Sequence, residues 1–266
     1  MPLFLDMGDH RLEYAWHGLA PEQAPTLVFL HEGLGSLSTW REFPERLAGA
    51  VGCGALVYSR RGYGGSDPAA PPRPVRFMHE EALVTLPRVL ELLGVREPIL
   101  VGESDGASIA LIYAGSAAGA SRARGLLLEA PHVFVEPVCL ASIAAAVESF
   151  RSGDLRRALA RHHARDVDAT FRGWSEVWLD PDFRSWNIEE FLPGVRAPVL
   201  AIQGEQDPYG TLRQIETVAA RCRGFVELFV LPRCGHSPHR EEPDRVLGAM
   251  TRFLKREILE PPSSGS

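Results

Sequence analysis

Ser104 lies in Gly102-Glu103-Ser104-Asp105-Gly106, a serine with a glycine two places to either side. The apolar run Ile99-Leu100-Val101 precedes it, and a helical run from Ala107 to Tyr113 follows. A strand that turns at once into a helix strains the backbone at the serine, and side chains at the flanking glycines would collide. The turn lifts the hydroxyl clear of a sheet and onto a helix N-terminus, where negative charge is favoured. Such a serine is a candidate nucleophile. It needs a base, and the base needs an orienting group. His236, in Cys234-Gly235-His236-Ser237-Pro238, is the candidate base, and Asp207, in Gly204-Glu205-Gln206-Asp207, the candidate acid. Glu205 competes with Asp207, which lies further into its loop. The matching chemistry is acyl transfer, in which charge develops on a carbonyl oxygen and two backbone N–H groups should meet it. Asp105 offers one N–H. The other is expected from Gly33, in His31-Glu32-Gly33-Leu34-Gly35-Ser36.

These residues need a scaffold that brings them together. Thr26–Leu30, Ala55–Tyr58, Ile99–Val101, Leu126–Leu128, Val199–Ile202 and Val226–Leu231 read as strands. Most are apolar on both alternating faces, as in a parallel sheet covered by helices on both sides. Helical patterns fall between them. Leu83, Leu86, Leu90 and Leu93 form one apolar stripe, with Pro87 expected to kink it and Gly94 to end it. Val246, Leu247, Met250, Phe253, Leu254 and Ile258 form another, with Pro243 in its first turn. The alternation predicts an α/β fold, a mostly parallel doubly wound sheet. All the candidate site residues then follow strand C-termini, where such sheets place ligands.

Residues 138–193 show no convincing strand. Ala141–Phe150 and Leu155–Ala164 read as helices, and Phe171, Trp174, Trp178, Phe183 and Trp186 follow. At roughly 55 residues the segment is too long for an ordinary loop, and it is expected to be a helical cap inserted in a core of 1–137 and 194–260. The tail, 261–266, has linker composition and is expected to be disordered.

With these motifs, nearly the whole chain resembles the α/β-hydrolase superfamily. Four segments carry the resemblance: the His31–Ser36 loop with Trp40 beyond, Ser59-Arg60-Arg61-Gly62-Tyr63-Gly64-Gly65-Ser66, the turn at Ser104, and the Asp207 and His236 loops. The resemblance implies a serine hydrolase with the chain order Ser, Asp, His and a helical cap before the seventh core strand. The chain departs from the family pattern in three places. His31-Glu32 stands where many relatives have His-Gly. Ser59 stands where an aspartate often precedes Arg-Gly. Glu32, Glu103 and Asp105 place three carboxylates in sequence near the nucleophile. They must point away from it, pair with arginine (Arg60 and Arg61 are candidates) or stay protonated through burial. Glu32 and Glu103 are expected to be buried, structural and partly protonated.

The implied reaction is cofactor-independent hydrolysis of a carboxylic ester or similar small acyl substrate, with no metal. The expected pocket walls are Trp40, His132, Phe134, Trp174, Trp178, Tyr209 and His239, although the cap tryptophans could equally form the cap's own core. Arg151, Arg156, Arg157, Arg161 and Arg165 make a basic strip that could receive an anionic group such as coenzyme A phosphates. Such a run is more often a solvated helix face. His162 and His163, in that strip, are expected to face solvent. The same triad could instead cleave a carbon–carbon bond in a diketone-like ring-fission product, or a thioester. A non-catalytic ligand receptor on this fold is the alternative from another class.

Composition narrows the field. The 266 residues carry a net charge of −6, with 28 basic and 34 acidic side chains, so no basic excess exists to neutralise nucleic-acid phosphates. Hydrophobic residues at 45% and charged residues at 23% are ordinary for a globular protein. No run reaches the ~18 apolar residues of a membrane span. Cys53, Cys139, Cys222 and Cys234 are scattered without a C-x-x-C pair, which suits free thiols in a reducing compartment. The N-terminus lacks the pattern of a signal peptide. A cytoplasmic protein without membrane or nucleic-acid partners is expected.

Overall fold

The computed structural model describes residues 3–163 and 165–260, so the tail at 261–266 and Ala164 lie outside the described residues. The strands are β1 (Leu3–Asp6), β2 (Arg11–Gly18), β3 (Thr26–Leu30), β4 (Gly54–Tyr58), β5 (Pro98–Glu103), β6 (Gly125–Glu129), β7 (Val199–Gly204) and β8 (Val226–Leu231). They form one sheet in the order β1-β2-β4-β3-β5-β6-β7-β8. From β4 to β8 every pairing is parallel. β1 and β2 add an antiparallel edge that the sequence reading did not contain. Strands β3 to β7 are buried along their whole length, which is why they read as unbroken apolar runs.

Helices cover both faces: α1 (Phe43–Val51), α2 (Phe77–Glu80), α3 (Leu86–Leu92), α4 (Asp105–Gly115), α5 (Pro137–Ser152), α6 (Asp154–Leu159), α7 (Val167–Leu179), α8 (Arg213–Arg221), α9 (Pro238–Glu241) and α10 (Pro243–Phe253). One apolar core joins α2, α3, α4 and the residues of α5 and α7 to one face of the sheet. A second joins α1 and α10 to the other face, through Leu27, Phe29, Val101 and Ile202. Strand alternation alone makes this division, since successive side chains point to opposite faces. Among the described residues no helix is long and apolar enough to cross a membrane.

The stripe expected on Leu83 is shifted. The buried residues are Ala82, Leu86, Val89 and Leu90, while Leu83 is 40% exposed. A wide π turn at Glu81–Thr85 joins α2 to α3, directly ahead of Pro87. The proline ring cannot sit against the carbonyl four residues back in a regular helix. The wider turn makes room for it and rotates the face that follows.

Between β6 and β7 the chain carries α5, α6 and α7 and leaves the sheet; its one β contact there is an isolated bridge between Phe134 and Asn187. Helix α6 ends at Leu159, short of the expected Ala164. The turn after it corrects a second expectation. His163 is buried, accepts the Gly64 N–H on Nδ1 at 3.0 Å and donates from Nε2 to the Leu34 carbonyl at 2.8 Å. His162 Nδ1 shares a hydrogen bond of 2.8 Å with Ser38 Oγ. The arginines of the strip mostly meet carboxylates of their own surface: Arg151 with Glu148, Arg156 with Asp168, Arg157 with Asp154 and Arg165 with Asp67. That pairing makes the strip a solvated face rather than a phosphate site.

The shifted stripe separates two substitutions that the sequence treats alike. Leu86→Ala should cost about 2–5 kcal/mol of unfolding free energy. Leu83→Ala should stay within about 0.5 kcal/mol. Urea denaturation of the two variants checks this.

Candidate active site

The turn between β5 and α4 carries Ser104 at φ 53°, a left-handed conformation rare for a side-chain-bearing residue. Its glycines are required by contact. A Cβ on Gly102 would lie 2.5 Å from the Gly106 carbonyl oxygen, and one on Gly106 would lie 1.9 Å from that of Leu30. The strain at Ser104, of order 1–3 kcal/mol, is held by this close packing of α4 against β3 and β5.

Ser104 Oγ lies 3.0 Å from His236 Nε2. On the other side of the ring, His236 Nδ1 lies 2.9 and 2.8 Å from the two Asp207 oxygens. A carboxylate only accepts, so Nδ1 carries the proton and Nε2 is free to accept from the serine. The Asp207 carboxylate also accepts the Tyr209 N–H at 2.8 Å and the Gln203 amide at 2.6 Å. Burial alone would raise the Asp207 pKa, but the hydrogen bond from His236, its charge and the Tyr209 N–H outweigh it and hold the carboxyl low. Burial alone would lower His236. The Asp207 hydrogen bond and charge, then the charges of Glu103 and Glu32, bring its net pKa above the ordinary histidine value. Glu205, the competing acid, is exposed.

The loop after β3 brings Gly33 beside Asp105, the residue after Ser104. A Cβ there would lie 3.2 Å from Asp105 Oδ2 and 2.2 Å from Trp174 Nε1, so the α7 indole packs directly on this glycine. Among the described residues no backbone acceptor takes the N–H of Gly33 or of Asp105. Asp105 is fully buried, and both its carboxyl oxygens lack a partner. Burial raises its pKa, against the opposing effects of Arg60, the Trp178 indole and Arg73.

The other carboxylates are held from α9. Glu103 and Glu129 end neighbouring strands in register, Glu103 opposite Glu129. Glu103 accepts the Ser237 hydroxyl at 2.7 Å. Glu129 accepts the His239 N–H at 2.8 Å and faces its Nδ1 at 3.2 Å. Arg240 pairs with Glu32 at 2.9 Å. Burial would lower the His239 pKa, but the charges of Glu129 and Glu103 outweigh it and raise it. Burial raises Glu32, and Glu103 raises it further, against Arg240. The expected partners Arg60 and Arg61 do not take these side chains. Arg60 donates to the Glu32 backbone carbonyl at 2.8 Å, and Arg61 pairs with Asp9. Ser59, where relatives often carry aspartate, donates to Glu13 of β2 at 2.8 Å, so a carboxylate reaches that place from a neighbouring strand.

The expected pocket residues divide. Tyr209 and His132 lie beside the His236 ring, at 4.7 and 5.7 Å between centroids. His132 is buried, and its pKa is lowered to about 4, so it adds no charge beside His236 at neutral pH. Trp174 reaches Gly33, and Trp178 joins His132 to Phe183 and Trp186. Two walls are corrected. Trp40 is a member of the second core, on the sheet face opposite the cap helices, and stacks on His239 at 4.6 Å. His239 is spent on Glu129. Phe134 is half-buried beneath the Arg213 guanidinium and has no contact with the His236 ring. The sequence reading missed Glu129, Gln203 and the part played by His239. Their only signal was position at strand ends.

A family profile described as "Alpha/beta hydrolase family" matches residues 27–249. Similar solved structures include a hydrolase from Pseudomonas aeruginosa PA01, at 22% identity and a TM-score of 0.74, over 96% of this chain and 98% of that one. An esterase from Exiguobacterium antarcticum is 20% identical at a TM-score of 0.77, over 96% and 100%. An enol-lactonase from Burkholderia xenovorans LB400 is 18% identical at 0.73, over 96% and 100%. At these identities the likeness is one of fold. No curated protein matches the chain.

The charges facing His236 have a measurable effect. Its imidazole should titrate above about 6.5, the unperturbed value. Glu103→Gln should lower that titration point, because it removes a charge that favours the protonated ring. NMR titration of His236 in both proteins reads the difference. An unchanged value, with unchanged stability, would remove Glu103 from the electrostatics of the site.

Proposed function

The chain belongs to the alpha/beta hydrolase family, and we propose that it is a serine hydrolase acting on a carboxylic ester or similar acyl compound, with Ser104, His236 and Asp207 as its triad. The observation that carries this reading is the unbroken line of hydrogen bonds from Ser104 Oγ through His236 to Asp207. It lies beside two N–H groups without backbone acceptors. His236 takes the Ser104 proton as Oγ attacks the carbonyl carbon. Asp207 holds the ring tautomer and stabilises the imidazolium. The N–H groups of Gly33 and Asp105 receive the oxyanion. A negative Asp105 side chain there would oppose the oxyanion, so the upward shift of its pKa favours the reaction. His236 then returns the proton to the departing oxygen. Water, deprotonated by His236, attacks the acyl-enzyme and releases the acid and Ser104.

The pH dependence follows from the raised His236 pKa. Only the neutral ring can take the serine proton. Activity is therefore full above that pKa and is lost as pH falls through it. The acid limb of kcat/KM should lie above about pH 6.5.

A fluorophosphonate probe and a series of p-nitrophenyl esters test the proposal. Wild type should be labelled and should turn over at least the short esters. Ser104→Ala should lose labelling and on the order of 10⁶-fold in kcat, and Asp207→Asn on the order of 10⁴-fold. Labelling without ester turnover would keep the nucleophile and shift the reaction toward thioester or carbon–carbon cleavage. A folded wild type that is not labelled would overturn the reading.

A further inference from the structure

Beside the proposed catalytic residues lies a group of buried polar atoms that neither the fold nor the triad uses. It gathers around Tyr63. The Arg60 guanidinium lies 5.0 Å from the centre of that ring and the Arg73 guanidinium 4.4 Å. The rings of His31 and His163 lie 4.9 and 6.0 Å away. Tyr63 is 1% exposed and Arg60 2%. Arg60 spends Nη2 on the Glu32 carbonyl, while its Nε and Nη1 have no partner. Arg73 spends Nη2 on the Arg61 carbonyl, while its Nε has none. The Tyr63 hydroxyl is also unpartnered. Arg73 packs on α7, where a Cβ on Gly173 would lie 3.0 Å from its Nε. The group therefore spans the seam between core and cap.

The balance of donors and acceptors identifies the missing partner. Buried polar groups are nearly always satisfied, and buried charges especially so. The guanidiniums are permanently charged and only donate. The nearby acceptors do not meet the demand. Asp105 accepts no hydrogen bond from either arginine. Glu81 accepts the Tyr58 hydroxyl at 2.7 Å, and burial pushes its pKa up. The site is rich in donors, and it calls for an anion with several acceptor atoms. Planar guanidinium donors suit a carboxylate.

We propose that Arg60, Arg73 and Tyr63 form a subsite for a carboxylate on the acyl half of the substrate, making the natural substrate a half-ester or half-thioester of a dicarboxylic acid. The assignment to the acyl half rests on the Ser104 reading above. His236 would protonate the leaving group, and the rings beside it are those of Tyr209 and His132. The arginine group instead neighbours Asp105, which with Gly33 would keep hold of the acyl carbonyl.

The test compares kcat/KM for mono-p-nitrophenyl adipate with that for p-nitrophenyl hexanoate, which differ at the far end of the acyl chain. Wild type should favour the adipate half-ester by about tenfold. That ratio should fall toward unity in Arg73→Met and should fall in Tyr63→Phe, which keeps the ring and removes the hydroxyl. If Arg73→Met does not fold, Arg73→Lys and Tyr63→Phe decide. A wild-type ratio at or below one, or a ratio unmoved by the folded variants, overturns the subsite and leaves its donors to ordered water. Fluorophosphonate labelling of the same samples separates the two readings. Labelled protein that cleaves hexanoate without preference loses the subsite alone. Protein that is neither labelled nor active loses both.

Discussion

The contact between Gly106 and Leu30 sets the spacing on which the site depends. With only hydrogen on its Cα, Gly106 lets the first turn of α4 press against the end of β3. That approach holds Ser104 in its strained turn, and it brings Asp105 within reach of Gly33 on the loop after β3. A methyl group at position 106 would push the two apart. The nucleophile and the paired N–H groups are thus set by one interval between backbones, independent of any side chain's rotamer. Burial of β3 and β5 on both faces keeps that interval fixed, since a packed interior gives little.

Parallel strands ending together also bring charges together. Glu103 and Glu129 lie side by side on β5 and β6, with Glu32 just beyond β3. Like charges opposite one another destabilise a sheet. A single short stretch, from His236 to Arg240, answers all three: Ser237 to Glu103, His239 to Glu129, Arg240 to Glu32. The same stretch carries the candidate base. These carboxylates therefore anchor the loop that carries His236, and the charges of Glu103 and Glu32 favour its protonated ring.

What the sequence made legible follows from this physics. Strands β3 to β8 could be read because most are buried on both faces and so unbroken in hydrophobicity. β1 and β2 could not, because β1 is short and both are partly exposed, with Glu13 and His17 interleaved among apolar residues in β2. Glycine spacing marked the turns at Gly33, Ser104 and His236, since those glycines answer local collisions. Roles decided by which face a residue takes were out of reach. Trp40 and His239 look like pocket aromatics in one dimension and lie in the far core in three. The shift from Leu83 to Ala82 was hidden because a π turn adds a residue without altering composition. The link from Glu129 to His239 spans the insertion, and no local pattern records it.

His163 fastens the cap segment at Leu34, one residue beyond Gly33, and at Gly64 on the neighbouring loop. Trp174 rests on Gly33 itself. The roof is thus attached to the same short loop that would stabilise the reaction's charge. The seat of residues 138–193 and the geometry of the candidate site are therefore one mechanical unit, since a shift of His163 or Trp174 is a shift of the Gly33 loop.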